Sequence, residues 1–326
     1  MKKLVSIVIP NWNGIKFIKV CLESVLQSTF TNYEVIVVDN GSTDGSRELV
    51  EDLFHRVGGT EGPPTRCTCH MVRLSKNLGF ARACNEGIKA AEGKYVVLLN
   101  NDVEVEKTWL RELVEGMERH PECGMGTSKM VQYDNREQLY NTGDLFNIWC
   151  TGGARGFGEI DCGQYDEEDY IFGACAGAGI YKKSLFKRIG LFDEDFFIFS
   201  EDVDLNIRAQ CVGERCIFLP KAVVYHWGTA TVGFHSNRHV FLGARNDLFV
   251  LVKNYTLREF IKYFIKIFTH QYKLIKVFSL EGQGCTILRS RLSFLFYLPS
   301  MFLKRIFVIS KRNIQIDEIP EIIKNV

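Results

Sequence analysis

Neither sign of charge dominates this chain of 326 residues: 40 Lys and Arg stand against 39 Asp and Glu, a formal +1. The average therefore predicts no polyanionic partner. Proline is scarce, at 7, and the 28 glycines follow no repeat, which excludes a collagen-like chain. With 46% hydrophobic and 24% charged residues, disorder is excluded too. No stretch of about twenty residues is free of charge, so no transmembrane helix is expected; the best candidate, 292–309, contains Pro299, Lys304 and Arg305. An export signal is not expected either, because the apolar run after Lys2 and Lys3 is interrupted at Pro10, short of the usual length. No Gly-x-Gly-x-x-Gly follows that run, which disfavours a dinucleotide-dependent dehydrogenase.

Eleven cysteines, an odd number at irregular spacing, exclude a small disulfide scaffold and point to a reducing, cytoplasmic setting with most thiols buried. Cys67-Thr-Cys69-His70 has metal-ligand residue types. It lacks a second pair at zinc spacing and adjoins the Gly/Pro-rich loop 58–64, so it is not read as a zinc site.

What is present is a regular alternation. Apolar runs predict strands over 5–9, 34–38, 71–74 and 95–99, and helical spacing predicts helices over 15–27, 46–55 and 80–91. Strands this apolar imply a mostly parallel α/β sheet covered by helices on both faces. Ligands of such sheets bind at the carboxyl ends of the strands. From 125 to 230 the pattern is mixed and glycine-rich, with a helix expected over 203–211 and a strand over 216–219. Three segments follow: 1–124, then 125–254 of the same domain, and 255–326 as a helical extension. Residues 250–313 hold twelve Lys or Arg against two acids, Glu259 and Glu281, a local +10. There Phe260, Phe264, Phe268 and Tyr272 recur at helical spacing. The pattern reads as a basic amphipathic surface over 257–312 lying on an anionic membrane; the alternative is packing on the catalytic domain or a second subunit. The aromatics form a stripe rather than stacking platforms, which disfavours nucleic acid.

The peptides after the strands carry the chemistry. Asn100-Asn101-Asp102 places a carboxylate where a divalent cation bridging ligand phosphates would sit. Asp39 follows the second strand, where it can accept a hydrogen bond from the N3–H of a uracil or thymine, while Asp44 or Ser46 explains the next helix start as a cap. Asn77-Leu-Gly79 opens a helix that carries Arg82 on its first turns, a combination suited to an anion. Glu201, Asp202 and Asp204 follow the apolar run Phe196–Phe199, and a carboxylate at the mouth of an apolar site suits a general base. His226 ends another apolar run and is a second candidate metal ligand. Gly173, Gly177 and Gly179 either let backbone approach a ligand or allow tight packing.

Taken in order, Ser6-Ile-Val-Ile-Pro10-Asn11-Trp12-Asn13, Val38-Asp39-Asn-Gly-Ser-Thr-Asp44, Asn77-Leu-Gly-Phe-Ala, Leu98-Leu-Asn-Asn-Asp102, Gly190-Leu-Phe-Asp, Glu201-Asp202-Val-Asp204 and His226-x-x-Gly-x-x-Thr resemble the family-2 glycosyltransferases, closest to the rhamnosyltransferase-like members. The likeness covers about residues 4–254, including Ala244-Arg245-Asn246, and implies that 1–124 is the nucleotide-sugar-binding half and 125–254 the acceptor-binding, catalytic half. It implies a Rossmann-like GT-A fold and inverting transfer of a sugar from a UDP- or dTDP-sugar, dTDP-rhamnose among them, to a glycan or lipid-linked acceptor of a surface polysaccharide. It implies that Asp39 reads the pyrimidine, that Pro10, Asn11, Asn13, Asn77, Arg82, Asn100 and Asn101 surround the nucleotide, and that Asp102 with His226 holds Mg²⁺ or Mn²⁺. Asp202 is the implied base, with Glu201 and Asp204 as alternatives. Asn100 stands where the family's metal motif has its first Asp. An enzyme at the cytoplasmic face of the membrane, with oligomers open, is the expectation.

Overall fold

The computed structural model describes residues 3–58, 67–228, 233 and 235–323. Positions 59–64 of the Gly/Pro-rich loop and Thr231 of the last motif lie outside the described residues. The strands are β1 (Val5–Asn11), β2 (Tyr33–Asp39), β3 (Thr68–Arg73), β4 (Tyr95–Leu99), β5 (Val103–Val105), β6 (Cys123–Gln132), β7 (Leu139–Asn141), β8 (Asp144–Asn147), β9 (Thr151–Ala154), β10 (Asp169–Ile171), β11 (Ala178–Lys182) and β12 (Arg215–His226). The helices are α1 (Ile18–Leu26), α2 (Ser46–Gly58), α3 (Phe80–Ala90), α4 (Trp109–Arg119), α5 (Lys183–Ile189), α6 (Glu201–Cys211), α7 (Asn237–Asn254), α8 (Leu257–Leu280) and α9 (Gly284–Ser310).

One sheet runs in the order β10-β12-β6-β11-β4-β1-β2-β3, with β5 beside β12 and β7 beside β6; β8 and β9 form a separate hairpin. β3, β2, β1 and β4 are mutually parallel, β11 is antiparallel to both β4 and β6, and β12 is parallel to β6. Six of the eight strands in that order therefore point one way, as the apolar runs predicted. Alternation assigns their side chains to two cores. Ile7, Ile9, Val35, Val37, Val97 and Leu99 face the layer of α1 and α4, while Val8, Ile36, Val38, Val96 and Leu98 face α3, α5 and α6. Cys69 and His70 are neighbours in β3, so their side chains leave opposite faces and do not converge on one ion. The strand expected over 216–219 extends to His226, past a register irregularity between Leu219 and Val223. That extension carries His226 to Asp102.

The C-terminal extension has two faces. Inward, a third core joins Phe249, Tyr255, Met301 and Ile316, and α8 starts at a capping box between Thr256 and Glu259. Glu259 is also clamped by Arg312 at 2.7 Å and by the Ile316 N–H at 2.6 Å. The extension thus packs on the domain. By length and composition α9 is sufficient to cross a bilayer, which differs from the expectation drawn from its charges. Arg291 donates to the Ala244 carbonyl (2.7 Å), Lys304 pairs with Asp193 and with Asp195 (2.6 Å), and Arg305 donates to the Val252 carbonyl (2.7 Å). Those cations anchor the docked face. Outward, Leu292, Phe296, Leu303 and Ile306 of α9 and Ile261, Ile265 and Phe268 of α8 are exposed.

Candidate functional site

A cavity of about 310 Å³ opens at the carboxyl ends of β1 and β4. Pro10, Asn11, Asn77, Asn100, Asn101 and Asp102 line it from the ends of β1, β3 and β4 and the loops after them, and Glu201 and Asp202 from the first turn of α6. A polar lattice sets the first of these groups. Asn11 Nδ2 donates to Ser42 and Ser46 (3.2 and 3.0 Å), and its Oδ1 accepts from Asn101 Nδ2 at 2.7 Å. Asn40 bridges to Asn77 Oδ1 at 3.1 Å and takes the Leu78 N–H at 2.9 Å. A Cβ at Gly14 would fall inside van der Waals contact of both Asn101 Nδ2 and Asn11 Oδ1, so only glycine leaves that amide pair intact. The glycine run divides between its two readings: Gly177 lines the cavity, whereas a side chain at Gly173 would meet Asn206.

Four residues expected at the nucleotide or metal do not line the cavity. Asp39 is fully buried at the end of β2, and its Oδ2 is held by Arg47 at 2.8 and 2.7 Å. Arg82 is engaged by Glu194 (2.6 Å) and Glu86 (2.9 Å). Asn13, at φ 50°, accepts from the Thr43 N–H at 2.9 Å and braces the loop after β2. His226 lies behind Asp102, with Nε2 3.2 Å from Asp102 Oδ1. The short strand β5 follows Asp102 directly and pairs Val103 with His226, which is how residues 124 apart meet.

Asp102 and His226 fit a divalent cation. Their near atoms are 3.2 Å apart, close to the ~3 Å between adjacent ligands of an octahedral ion bound at about 2.1 Å. Both side chains are buried, and Nε2 is the ring nitrogen that faces Asp102. Asn100 adds no charge, so phosphate oxygens and water would complete the sphere.

The acids of α6 separate sharply. Asp204 is fully buried and committed: Arg208 Nε and Nη2, Lys253 Nζ and Asn254 Nδ2 each lie 2.9 Å from it. Burial opposes its charge, but the charges of Arg208 and Lys253 prevail and hold its carboxyl far below the usual range. Asp204 is thereby a structural anion, not a free base. The spacing Asp204–Arg208 (i, i+4) was the sequence signal for this pairing. Asp202 lines the cavity, accepts from the Val203 N–H at 2.8 Å, and has its carboxyl raised by burial. Glu201 is raised further, by burial and then by the charge of Asp202, and its Oε2 has no partner among the described residues.

The loop that delivers these acids is strained. Phe197, Phe199 and Ser200 have φ of 68°, 76° and 61°, each costing about 1–3 kcal/mol in a non-glycine residue. α7 holds it: Asn246 Nδ2 donates to the carbonyls of Phe196, Ile198 and Phe199 at 3.0, 2.9 and 2.7 Å. The first turn of α7 also supplies Arg238, which lines the cavity with its guanidinium 5.9 and 5.4 Å from the Trp12 and Phe197 rings. Arg238 is the single cation among the described residues lining the cavity. Sequence reading missed it, since nothing in Ser236-Asn237-Arg238 distinguishes it from a surface arginine.

A profile of glycosyl transferase family 2 matches residues 6–190. The chain is 27% identical over 244 residues to the uncharacterized glycosyltransferase EpsJ of Bacillus subtilis, covering 68% of this chain and 60% of that protein. It is 33% identical over 119 residues to the putative teichuronic acid biosynthesis glycosyltransferase TuaG of the same organism, covering 36% and 42%. It spans 25%, 60% and 47% of the lengths of the first three curated relatives it matches. Among solved structures, GalNAc-T7 with UDP, GalNAc and Mn²⁺ superposes with a TM-score of 0.62 at 16% identity, over 80% of this chain and 50% of that one. The fold is of GT-A type, and by a match over more than half its length the chain belongs to glycosyl transferase family 2.

Proposed function

We propose that the protein is an inverting glycosyltransferase that moves a sugar from a pyrimidine nucleoside diphosphate, a UDP- or dTDP-sugar with dTDP-rhamnose among the candidates, to a hydroxyl of a glycan or lipid-linked acceptor. The observation that carries this reading is that Asp102, at the end of β4, and Asp202, in the first turn of α6, line one cavity. The base must act on the side of the sugar away from the leaving diphosphate. Asp202 takes the acceptor proton as the oxygen closes on the anomeric carbon and the carbon–phosphate-oxygen bond opens. Arg238 faces the diphosphate as its counter-charge. Asn11, Asn101 and Asn77 hold the nucleoside side. Asp39 meets the pyrimidine N3–H once Arg47, one-third exposed, releases one oxygen. A Mg²⁺ or Mn²⁺ ion held by Asp102 and His226 would supply Lewis-acid stabilisation of the departing diphosphate; Mn²⁺ accompanies UDP in the GalNAc-T7 structure.

The relatives' names support a role in cell-surface polysaccharide synthesis, and the extension supports a site at the cytoplasmic face of a membrane. On α8, Ile261, Ile265, Phe268 and Tyr272 share one exposed sector, and Arg258, Lys273 and Lys276 the sector beside it, where Lys262 is already paired with Asp317. An apolar strip flanked by cations suits an anionic bilayer.

Calorimetric binding of UDP, dTDP and GDP, with and without Mn²⁺, to wild type and Asp102→Ala tests the reading. Metal-dependent binding of one pyrimidine diphosphate, lost in the variant, is the expected result. Preference for GDP would overturn the role of Asp39, and binding of none by folded protein would overturn the transferase site.

A further inference from the structure

Behind Asp202 lies a second carboxyl to which no step above gives a role. Asp144, the first residue of β8, is 5% exposed. Its Oδ1 accepts from Asn141 Nδ2 at 3.2 Å and its Oδ2 from Asn206 Nδ2 at 3.0 Å, which fixes the carboxyl plane. An oxygen of Asp144, an oxygen of Asp202 and Cys175 Sγ all lie within 4.8 Å of one another. The other titratable groups facing this cluster are Glu201 from α6, Tyr181 from β11 and Cys216 from β12. None is a cation. The buried cations on α6 and α7 are spent elsewhere: Arg208 on Asp204, Lys253 on Asp204 and Asp193, and Arg245 on the carbonyls of Asp195 and Phe196. Two carboxylates this close, in a low-dielectric wall with no counter-ion among the described residues, do not both ionise near neutral pH.

Resting on the assignment of Asp202 as base, we propose that Asp144 and Asp202 form a carboxyl pair holding one proton, with Asp144 the positioning partner that sets the proton affinity of Asp202. Before transfer the proton resides on Asp144 and Asp202 is the anion. As the acceptor oxygen bonds to the anomeric carbon and the bond to the nucleoside diphosphate breaks, the hydroxyl proton passes to Asp202. The pair then holds two protons and returns one to water. With that proton on Asp144 the partner carboxyl is neutral, so the step that puts a second proton on Asp202 is the lower of the pair's two, and Asp202 stays ionised near neutral pH although burial alone raises it. Asp144 is where the pair's proton rests: burial and then the charge of Asp202 raise its carboxyl well above its ordinary range. An ionised carboxylate is what a general base requires.

The test is carboxyl-¹³C NMR of the full chain labelled at aspartate, titrated from pH 3 to 9, with Asp144 and Asp202 assigned through Asp144→Asn and Asp202→Asn. In wild type both resonances should respond to the same two steps, the upper one above pH 5. In Asp144→Asn the upper step should vanish and Asp202 should titrate in a single step. Independent single steps in wild type, or an upper step at Asp202 that survives in Asp144→Asn, would overturn the pair. The wild-type titration decides even if the variant does not fold. Donor turnover keeps the two readings apart: if Asp202→Asn turns over at the wild-type rate the base assignment fails, whatever the NMR shows.

Discussion

Asp202 and Asp204 are two residues apart on one helix, yet the structure assigns them opposite consequences on removal. Asp204→Asn leaves Arg208 and Lys253 buried, at 5% and 4% exposure, with their shared anion gone. Lys253 keeps Asp193 at 2.8 Å, and Arg208 keeps only the carbonyls of Ile189, Gly190 and Leu191. Breaking a buried pair by deleting one partner costs about 3–5 kcal/mol, a large share of a total stability of about 5–15 kcal/mol. The melting temperature should fall by about 4–7 °C. The sign with pH follows from the depressed native carboxyl: its contribution is fully present above the unfolded value near 4 and is lost as pH falls below it. The deficit of Asp204→Asn should therefore be largest at pH 7 and shrink toward pH 3. Asp202→Asn removes a carboxyl that burial raises. Such a group favours folding below its unfolded value and loses that contribution as pH rises, so the variant should melt at or above wild type at pH 8. Its turnover should drop by about 10²–10⁴-fold. Circular-dichroism melts from pH 4 to 8, with nucleotide release as the activity readout, separate the two. A wild-type melting curve for Asp204→Asn at pH 7, or wild-type turnover for Asp202→Asn, would refute the division between structural anion and base.

Gly14→Ala forces a methyl onto the Asn11–Asn101 amide pair; overpacking of about 1–3 kcal/mol and nucleotide affinity at least about tenfold weaker, read by calorimetry, are expected. Arg238→Ala, at an exposed position, should leave the melting temperature within about 1 °C and weaken nucleoside-diphosphate binding about 10-fold or more, with a flatter salt dependence than wild type. Asp247, on α7 beside Ser200, is pushed up to about 7 by burial, with Arg291 and the Ser200 hydroxyl opposing. Its native carboxyl binds a proton that the unfolded chain has lost between pH 4 and 7, so stability falls across that window; Asp247→Asn should melt above wild type at pH 8 but not at pH 4. Flotation on vesicles with anionic lipid should carry the full chain upward, and charge reversal at Lys273 and Lys276 should leave it in the soluble fraction; equal flotation of both would refute the membrane-facing role of α8.

The strands over 5–9, 34–38 and 95–99 and the helix from Phe80 were legible because their apolar runs are buried on both faces of a sheet, where period and length leave little choice. Position relative to those strands also picked out Asn11, Asn101 and Asp102, since residues at the carboxyl end of a parallel strand have one place to point. The sequence could not separate Asp202 from Asp204. Both sit in the first turn of α6, and which one meets Lys253 depends on how α7 lies across α6, a contact between residues 49 apart. Nor could it find Asp144, whose meaning arises only where β8 packs against α6, or Arg238, which turns from surface arginine to cavity wall through the entry of α7 beside Phe197. Local pattern fixed the elements and the ends where chemistry gathers. Burial and the partner of each charge, which depend on side chains brought together from distant segments, decided what each acid does there.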